Sequence, residues 1–334
     1  MALETRRIGT TDIEVGILGF GGAPLGFGGG APLGSEALSD PQAVAIVERA
    51  YQGGVRYFDT APLYGHGDSE RRIGAVLSQR PRDEFILSTK VGRLLVPAGN
   101  GQPPSSAPLI PRYDYSYPAA RQSLEESLVR LGLDRVDIAL CHDVDTWTQG
   151  DAQPDIFEVA TRGALPALND LRSEGVIRAF GLGVNESRVC NQVLDLFDVD
   201  CFLLAGRFTL LEQGPLDDLL PRCLDRDVSI IVGGPYNSGM LATDRRERAM
   251  YDYRPVDDER WARAQEIRRI CDEHGTDIRA AALQYPLQHP AVASVIPGSA
   301  SLEEVEANFV LMEAPVPAGL WLDLDAAGLV RSLT

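Results

Sequence analysis

Short apolar runs alternate along the chain with longer segments in which apolar residues recur at helical spacing. Eight of these runs have the length and the β-branched or aromatic content of buried strands. They lie at residues 17–21, 55–59, 85–89, 136–140, 177–183, 200–204, 228–232 and 292–296. Strands that alternate with helices indicate parallel βαβ units. Eight such units, with no shift in composition between them, predict an α/β fold, a single (β/α)8 TIM barrel domain over residues 1–334.

Two further patterns fall outside a minimal barrel. The stretch TRRIGTTDIEVGIL at residues 5–18 predicts a two-stranded hairpin that turns at Gly9 and precedes the barrel. Three long polar stretches, 93–116, 143–155 and 235–257, directly follow strands. Loops in these positions are expected to overhang the C-terminal face of a barrel, where barrel enzymes bind their substrates.

Composition excludes several classes of partner. The net charge of −17 disfavours nucleic acids and anionic membranes, because both are bound by basic faces. We see no apolar run near the roughly 20 residues of a membrane span and no signal peptide at the start. The 5 cysteines are widely spaced and form no CxxC pair, so neither a disulfide framework nor a metal site is predicted. These features are typical of a cytoplasmic protein.

The chain has a single lysine, Lys90, which ends the third predicted strand in LSTKVGR. Every other basic side chain of the Lys and Arg type is arginine. An ammonium is a compact charge whose pKa can be tuned, whereas a guanidinium stays protonated. The isolated lysine is therefore consistent either with chance in an arginine-rich composition or with chemistry at the mouth of the barrel.

Polar residues at the ends of neighbouring strands favour chemistry. Asp59 ends the second strand, Tyr64 follows five residues later, and His142 follows the fourth strand. Adjacent strands are only about 4.8 Å apart, so these side chains can converge with Lys90. A nearby ammonium would lower the pKa of Tyr64, Asp59 would hold the lysine, and His142 would donate a hydrogen bond. This set predicts a proton-transfer site for an alcohol or a carbonyl.

The residues around these positions carry a resemblance to a known family. The stretch GVRYFDTAPLYGHGDSERRIG, together with STKVG and the HD dipeptide, resembles the signatures of the aldo-keto reductases over nearly the whole chain. The resemblance implies a (β/α)8 barrel that binds a nicotinamide cofactor without a Rossmann domain. It also implies that Tyr64 is the general acid or base, that Lys90 and Asp59 tune it, and that His142 orients the substrate.

The cofactor preference depends on VIPGSASLEEVEAN, residues 295–308. NADPH-binding members of the family carry a lysine and an arginine at the positions of Gly298 and Glu304. A carboxylate repels a 2′-phosphate and accepts hydrogen bonds from a ribose 2′-hydroxyl, which predicts NAD over NADP. In the alternative interpretation, Glu304 is a solvated helix residue and Arg279 binds the phosphate.

The resemblance assigns the remaining cofactor contacts. Asn185 matches the residue that binds the nicotinamide carboxamide, and Ser299 and Asn308 match the ribose and adenine contacts. Ser238 and Gly239 are expected to reach the pyrophosphate.

Two positions depart from the family pattern. The family's glutamine falls on Ala205, and the tyrosine that stacks on the nicotinamide falls near Gly234. Tyr236 is the candidate to replace that tyrosine. Trp147, in the second polar stretch, is a candidate to stack on a sugar face.

The opening of the chain and two later stretches, LLAGRFTLLEQ and VGGPYNSGML, are similar to a branch of the family that oxidises aldoses. Its substrates are L-fucose, L-galactose or D-arabinose, which are oxidised at C1 to the lactone. The same branch includes pyridoxal 4-dehydrogenases, which are the second interpretation. A general NADPH aldehyde reductase and a non-catalytic auxiliary subunit of an ion channel are two further alternatives. The sequence carries no prediction of oligomeric state.

Overall fold

A computed structural model of the chain describes residues 4–26, 38–97 and 109–333. The strands of this part are β1 Thr5–Arg7, β2 Glu14–Gly16, β3 Phe20–Gly21, β4 Tyr57–Asp59, β5 Ile86–Val91, β6 Arg93–Pro97, β7 Leu109–Tyr113, β8 Ile138–His142, β9 Ala179–Val184, β10 Cys201–Ala205, β11 Ser229–Gly233, β12 Met250–Tyr251, β13 Arg254–Pro255 and β14 Val292–Ile296. The helices are α1 Ala23–Gly26, α2 Asp40–Gln52, α3 Asp68–Leu77, α4 Tyr117–Leu131, α5 Thr146–Gln149, α6 Gln153–Arg162, α7 Ala164–Ser173, α8 Ser187–Leu194, α9 Leu219–Asp225, α10 Asp258–Glu273, α11 Ile278–Gln284, α12 Leu302–Glu313 and α13 Ala318–Ala326. None of the helices described is both long enough and apolar enough to cross a bilayer.

Eight strands form one parallel sheet that closes on itself. Their order is β14, β11, β10, β9, β8, β5, β4 and β3. Single bridges from Leu18 to Val295 and from Gly21 to Gly298 join the first strand to the last. The predicted (β/α)8 barrel is therefore confirmed. All eight predicted strands are present, and their ends move by no more than three residues.

The alternation of side chains along each strand decides what faces the barrel interior. On β8, Ile138 and Leu140 belong to the interior apolar cluster. Ala139 and Cys141 pack in the outer cluster, between the sheet and the helices. The same period of two places His142 on the interior face, at the carboxyl end of its strand.

The two preceding barrel strands follow the same rule. Tyr57 packs in the interior cluster, so Asp59 points inward two residues later. On β5, Leu87 and Val91 pack in the outer cluster, so Lys90 takes the inward face. The carboxyl ends of β4, β5 and β8 therefore present Asp59, Lys90 and His142 to one space.

The N-terminal hairpin is confirmed and covers the opposite end of the barrel. β1 pairs with β2 in antiparallel register, and Ile8 and Ile13 between them join the interior cluster. The backbone N–H of Gly9 donates to Ser229 Oγ at 2.8 Å, at the start of β11. Because the hairpin fills this end, the interior of the described barrel opens toward the face that carries the polar strand ends.

Local sequence signals explain where the helices begin and end. α2 begins after Ser39, whose backbone N–H donates to the side chain of Gln42 at 3.0 Å, and Pro41 occupies its first turn. α4 ends at Gly132, whose φ of +64° is readily adopted by glycine.

The three long stretches have structure of their own on the C-terminal side of the strands. The first contains β6 and β7, which pair in antiparallel register, and its residues 98–108 lie outside the described part. The second contains α5, and the third contains the short β12–β13 pair. The second and third stretches both reach the cleft described below, as the sequence predicts.

We predict that Gly181→Ala prevents stable folding, because an added Cβ would lie 1.7 Å from the carbonyl oxygen of Cys201 on β10. Backbone overlap inside a parallel sheet cannot be relieved by a rotamer change, so the loss should exceed about 3 kcal/mol. Gly214→Ala is the matched control, since a Cβ at position 214 would meet nothing within 4 Å. Urea unfolding checks both variants, and equal midpoints for the two would contradict the β9–β10 register.

Candidate active site

A buried ion pair forms the base of the site. Lys90 Nζ donates to Asp59 Oδ2 at 2.7 Å and to the carbonyl oxygen of Thr60 at 2.8 Å. The other carboxylate oxygen of Asp59 accepts from Ser88 Oγ at 2.6 Å. Burial raises the pKa of Asp59, while Lys90 and Ser88 oppose that rise. The lysine charge is thus held by two groups at the end of β4, and Ser88 on β5 holds the carboxylate in turn.

Tyr64 lies above this pair on the loop after β4. Its ring centroid is 4.8 Å from Lys90 Nζ. Three residues in the left-handed region, Gly65, His66 and Gly67, follow it and turn the chain into α3. Gly26 packs directly against the Tyr64–Gly65 peptide, where a Cβ would lie 2.1 Å from the Tyr64 carbonyl carbon. The close approach of α1 therefore fixes the backbone that carries the tyrosine.

The charge balance around Tyr64 differs from the sequence-based prediction. Its pKa is raised well above the usual value, mainly by burial and then by the carboxylates of Asp59 and Asp143, with Arg93 opposing. The pKa of Tyr64 is thus raised in the protein without a ligand, and not lowered as the sequence predicts. Burial is the largest cause, and the Asp59 carboxylate, only 2.7 Å from the ammonium, offsets the lysine charge.

His142 lies beside Tyr64, with ring centroids 6.0 Å apart and the rings nearly perpendicular. Burial lowers the pKa of His142 well below its usual value, and the positive charges of Arg93 and Lys90 lower it further. The imidazole is therefore neutral at neutral pH. A neutral imidazole has one N–H to donate, as the predicted orienting role requires.

A cleft of about 430 Å³ opens beside Tyr64 and collects most of the predicted residues. Its walls include Asp59, Tyr64, Trp147, Asn185, Tyr236, Ser238, Gly239, Gly298, Glu304 and Asn308. Lys90, His142 and Ser299 are buried outside these walls. Lys90 and His142 nevertheless contact Asp59 and Tyr64, so the four predicted catalytic residues form one group.

The far end of the cleft is organised around Asn308. Its amide donates to Ser299 Oγ at 3.2 Å, and its carbonyl oxygen accepts from the Tyr236 hydroxyl at 2.7 Å. Tyr236 is thereby tied to the residue predicted to contact adenine. The candidate role of Tyr236 in stacking on the nicotinamide stays a prediction, and its hydroxyl is committed to Asn308.

Glu304 has two roles at this end. Its carboxylate lines the cleft and accepts from the backbone N–H of Ala300 at 2.7 Å. Its own N–H donates to Ser301 Oγ at 3.2 Å, as in the capping box of a helix N-terminus. Arg279 also lines the cleft, but Asp277 holds its guanidinium at 2.6 Å.

The structure gives a physical reason for glycine at position 298. A Cβ there would lie 2.6 Å from Cγ of Pro24, so the packed ring leaves no room for a longer side chain. The lysine that the sequence analysis expects in NADPH-binding members is therefore sterically disfavoured at this position.

The two departures from the family pattern also lie in the cleft wall. Ala205 and Gly234 line it together with Gly206 and Gly233. Gly234 has a φ of +58°, and Asn237 holds this turn by donating to the carbonyl oxygen of Gly206 at 3.0 Å. This part of the wall is thus backbone and one methyl group.

The rim above Tyr64 comes from three different loops. Trp147 and Tyr253 line the cleft and are both exposed, at 45% and 55%. The Arg207 guanidinium donates two hydrogen bonds of 2.9 Å to the Asp252 carboxylate. Its central carbon lies 6.0 Å from the centroid of the Trp147 ring. The backbone N–H of Tyr253 donates to Ser238 Oγ at 3.3 Å. The rim therefore combines aromatic faces with polar groups.

Comparison with known proteins identifies the family. A profile of the Aldo/keto reductase family matches residues 18–327. The chain belongs to this family. It is 38% identical to a D-threo-aldose 1-dehydrogenase of Pseudomonas sp, over 88% of this chain and 90% of the relative. It is 37% identical to a pyridoxal 4-dehydrogenase of Microbacterium luteolum, over 98% of each.

A solved structure supports the same membership. The holo form of an aldo-keto reductase from Bacillus halodurans superposes with a TM-score of 0.73 at 26% identity, over 98% of this chain and 97% of the other. The protein is thus an oxidoreductase that acts on CH–OH or carbonyl groups.

This aldo-keto reductase has two buried charged residues at the site that the sequence analysis missed. Arg93 contacts His142 and Asp143, and Asp143 in turn accepts from Asn185 Nδ2 at 3.0 Å. The available signals were the arginine that ends LSTKVGR and the aspartate of the HD dipeptide. Both stand directly beside predicted catalytic residues.

We predict that Tyr64 stays protonated up to about pH 10 in the protein without ligands, because burial and two carboxylates raise its pKa. Tyrosinate absorbance should be titrated in the wild type and in Tyr64→Phe, and the difference between the two curves isolates this residue. The expected difference curve is flat between about pH 7 and 10. An ionisation step inside that range would restore the sequence-based prediction of a lowered pKa.

Proposed function

We propose that this aldo-keto reductase oxidises a cyclic hemiacetal to the corresponding lactone, with NAD as the hydride acceptor. An aldose of the L-fucose, L-galactose or D-arabinose type, oxidised at C1, is the first candidate substrate. The observation that carries the proposal is the buried Lys90–Asp59 pair beneath Tyr64, at the wall of a cleft. A fixed ammonium under a phenol is an arrangement for moving one proton at a substrate oxygen.

Each catalytic residue then has a defined part in the oxidation. Tyr64 takes the proton of the anomeric hydroxyl as the C1–H bond breaks, and Lys90 stabilises the negative charge that forms on the phenol. Asp59 holds the lysine, and His142 donates to the substrate oxygen. The raised pKa of Tyr64 fits a residue that is the acid in reduction and that has to ionise before oxidation.

The cleft supports a nicotinamide dinucleotide, the cofactor of the family. When bound, the nicotinamide supplies the acceptor for the hydride that leaves C1. Asn185 would hold its carboxamide, Ser238 and Gly239 the pyrophosphate, and Asn308 with Ser299 behind it the adenosine half. At Gly234 the cleft wall is formed by backbone alone, so no side chain would stack on the nicotinamide there. Tyr236 would contact the adenosine half together with Asn308.

The preference for NAD over NADP rests on charge and space near Glu304. Its carboxylate faces the cleft, and Gly298 has no room to become the lysine that a 2′-phosphate would need. Arg279 is the competing candidate, but its guanidinium is already paired with Asp277. The balance of charge near Glu304 is therefore unfavourable for the additional 2′-phosphate of NADP.

A hemiacetal substrate fits the rim better than a simple aldehyde. Asp252 and Tyr253 line the cleft and offer polar groups to ring hydroxyls, and Trp147 offers a face to a sugar ring. The relative named D-threo-aldose 1-dehydrogenase supports this class, as does an L-galactose dehydrogenase of Arabidopsis thaliana at 31% identity.

Pyridoxal is the second candidate, and two observations favour it. The relative named pyridoxal 4-dehydrogenase aligns over 98% of both chains. Trp147 and Tyr253 also provide two aromatic surfaces for a pyridine ring. Pyridoxal carries a hydroxymethyl group beside its aldehyde and so closes to a cyclic hemiacetal, which would be oxidised by the same proton and hydride transfers.

The test is a panel of initial rates with NAD and with NADP on L-fucose, L-galactose, D-arabinose, D-glucose and pyridoxal. NAD reduction by the first three sugars, and not by glucose, would support the aldose proposal. Reduction of NAD with pyridoxal alone would identify the second candidate as the substrate. Absence of turnover on the whole panel, with NAD still bound, would refute both and favour the auxiliary-subunit alternative.

We predict that Glu304→Gln lowers the preference for NAD over NADP by about tenfold or more, measured as the ratio of kcat/KM values. Glutamine keeps an acceptor for the Ala300 N–H and removes only the charge. Glu304→Arg should lower the ratio further and should also cost about 1 kcal/mol of stability, because the Ala300 N–H loses its acceptor. An unchanged ratio in both variants would show that the Glu304 side chain serves only as the acceptor for the Ala300 N–H.

A further inference from the structure

We propose that Arg93 is a positioning residue that fixes the tautomer of His142, so that the histidine presents Nε2–H and not Nδ1–H. This inference extends the proposed function, because it concerns the residue proposed to donate to the substrate oxygen. It rests on the contacts on the two sides of one imidazole ring.

The contact on the first side admits a single assignment. Arg93 Nη1 lies 3.0 Å from His142 Nδ1. A guanidinium has only donors and stays protonated in proteins, so it cannot accept a proton from the ring. His142 Nδ1 must therefore carry the lone pair. In a neutral imidazole the proton then resides on Nε2.

The contact on the second side agrees. Asp143 Oδ2 lies 3.4 Å from His142 Nε2, and this carboxylate oxygen also accepts from Arg93 Nη2 at 2.6 Å. The two atoms are not aligned as a hydrogen bond, so this carboxylate does not take up the Nε2–H that the substrate oxygen is proposed to accept. Its negative charge nevertheless disfavours a second lone pair on Nε2, so the donor at Nδ1 and the charge near Nε2 select the same tautomer.

The chain path explains how Arg93 reaches the histidine. β5 ends at Val91, and Gly92 turns the chain with a φ of +107° so that β6 begins at Arg93. A Cβ at Gly92 would lie 2.3 Å from the Tyr115 ring. The Tyr115 hydroxyl donates to the carbonyl oxygen of His142 at 2.7 Å. The same packing contact therefore holds both the arginine and the histidine backbone.

The arginine is as buried as the lysine beside it. Arg93 is 2% exposed, and its guanidinium also packs over the Tyr113 ring, 4.9 Å from the centroid. A cation buried to this extent needs a function or a strong partner, since its removal from water is costly. The Asp143 carboxylate balances the positive charge of Arg93 through Nη2, and Nη1 of the same guanidinium contacts His142.

The tautomer should be measured directly by long-range proton–nitrogen NMR on protein labelled with 15N-histidine, because the cross-peak pattern separates Nδ1–H from Nε2–H. The chain has 4 histidines, and the His142 signals are those absent from His142→Asn. We expect the wild-type ring to be neutral with Nε2–H between about pH 6 and 9. Among the described residues around His142, the charged or titratable groups are Lys90, Arg93, Asp143, Tyr64 and Tyr115.

Three variants separate positioning from general stability. Arg93→Met removes the donor, so His142 should become a mixture of tautomers or protonate within the same range, and kcat should fall by about 10- to 100-fold, as when outer partners of metal-bound histidines are removed. Arg93→Lys keeps a side chain with donors only and should retain Nε2–H and most of kcat. Arg82→Met is the control, because Arg82 pairs at 2.6 Å with Asp137, just before the start of β8 and away from His142. This variant should change neither the tautomer of His142 nor kcat.

A double variant tests whether Arg93 acts through the histidine. If it does, Arg93→Met should slow the His142→Asn enzyme no further. Wild-type signals of the Nδ1–H type would overturn the proposal, as would an Arg93→Met ring with an unchanged tautomer. A full additional loss of kcat in the double variant would overturn it too. The NMR measurement needs no substrate, so it stands or fails separately from the aldose and pyridoxal assays.

Discussion

The buried contact between Lys90 and Asp59 is the interaction on which the rest of the site depends. Both side chains are almost completely removed from water, and loss of either partner of such a pair typically costs about 3–5 kcal/mol. Hydrophobic residues of similar size would often be as stable in their place. The pair is therefore best explained by what it holds, a positive charge 4.8 Å from the Tyr64 ring. Tyr64, in turn, faces the cleft in which the proposed substrate and cofactor meet.

The barrel makes this arrangement possible through two properties of parallel strands. Alternation of faces points Asp59, Lys90 and His142 into the same interior, and the parallel direction brings them to the same end. The loops beyond the strand ends add the rest: Tyr64 after β4, Asn185 after β9 and the Trp147–Arg207 rim. The proposed ion pair and His142 thus lie on rigid strands, whereas the proposed substrate contacts lie on loops, which tolerate change more readily.

The sequence predicted what depends on local periodicity. The eight strands, the hairpin and the inward positions of the catalytic residues all follow from the spacing of apolar residues. What it missed depends on distances across the fold. The pKa of Tyr64 is raised mainly by burial and then by the carboxylates of Asp59 and Asp143, and no spacing along the chain reveals these surroundings. The contact of Arg93 with His142 joins residues 49 positions apart, and that of Tyr236 with Asn308 joins residues 72 apart.

The most direct test of the account is a comparison of Lys90→Arg with the wild type, with NAD affinity and kcat measured separately at neutral pH. Arginine keeps the charge next to Asp59 but is larger and planar, so it cannot place a compact ammonium under Tyr64. The account predicts an NAD dissociation constant within about twofold of the wild type and a kcat lower by at least about 100-fold. An unchanged kcat would contradict the central claim, because the only lysine of the chain would then have no part in the reaction.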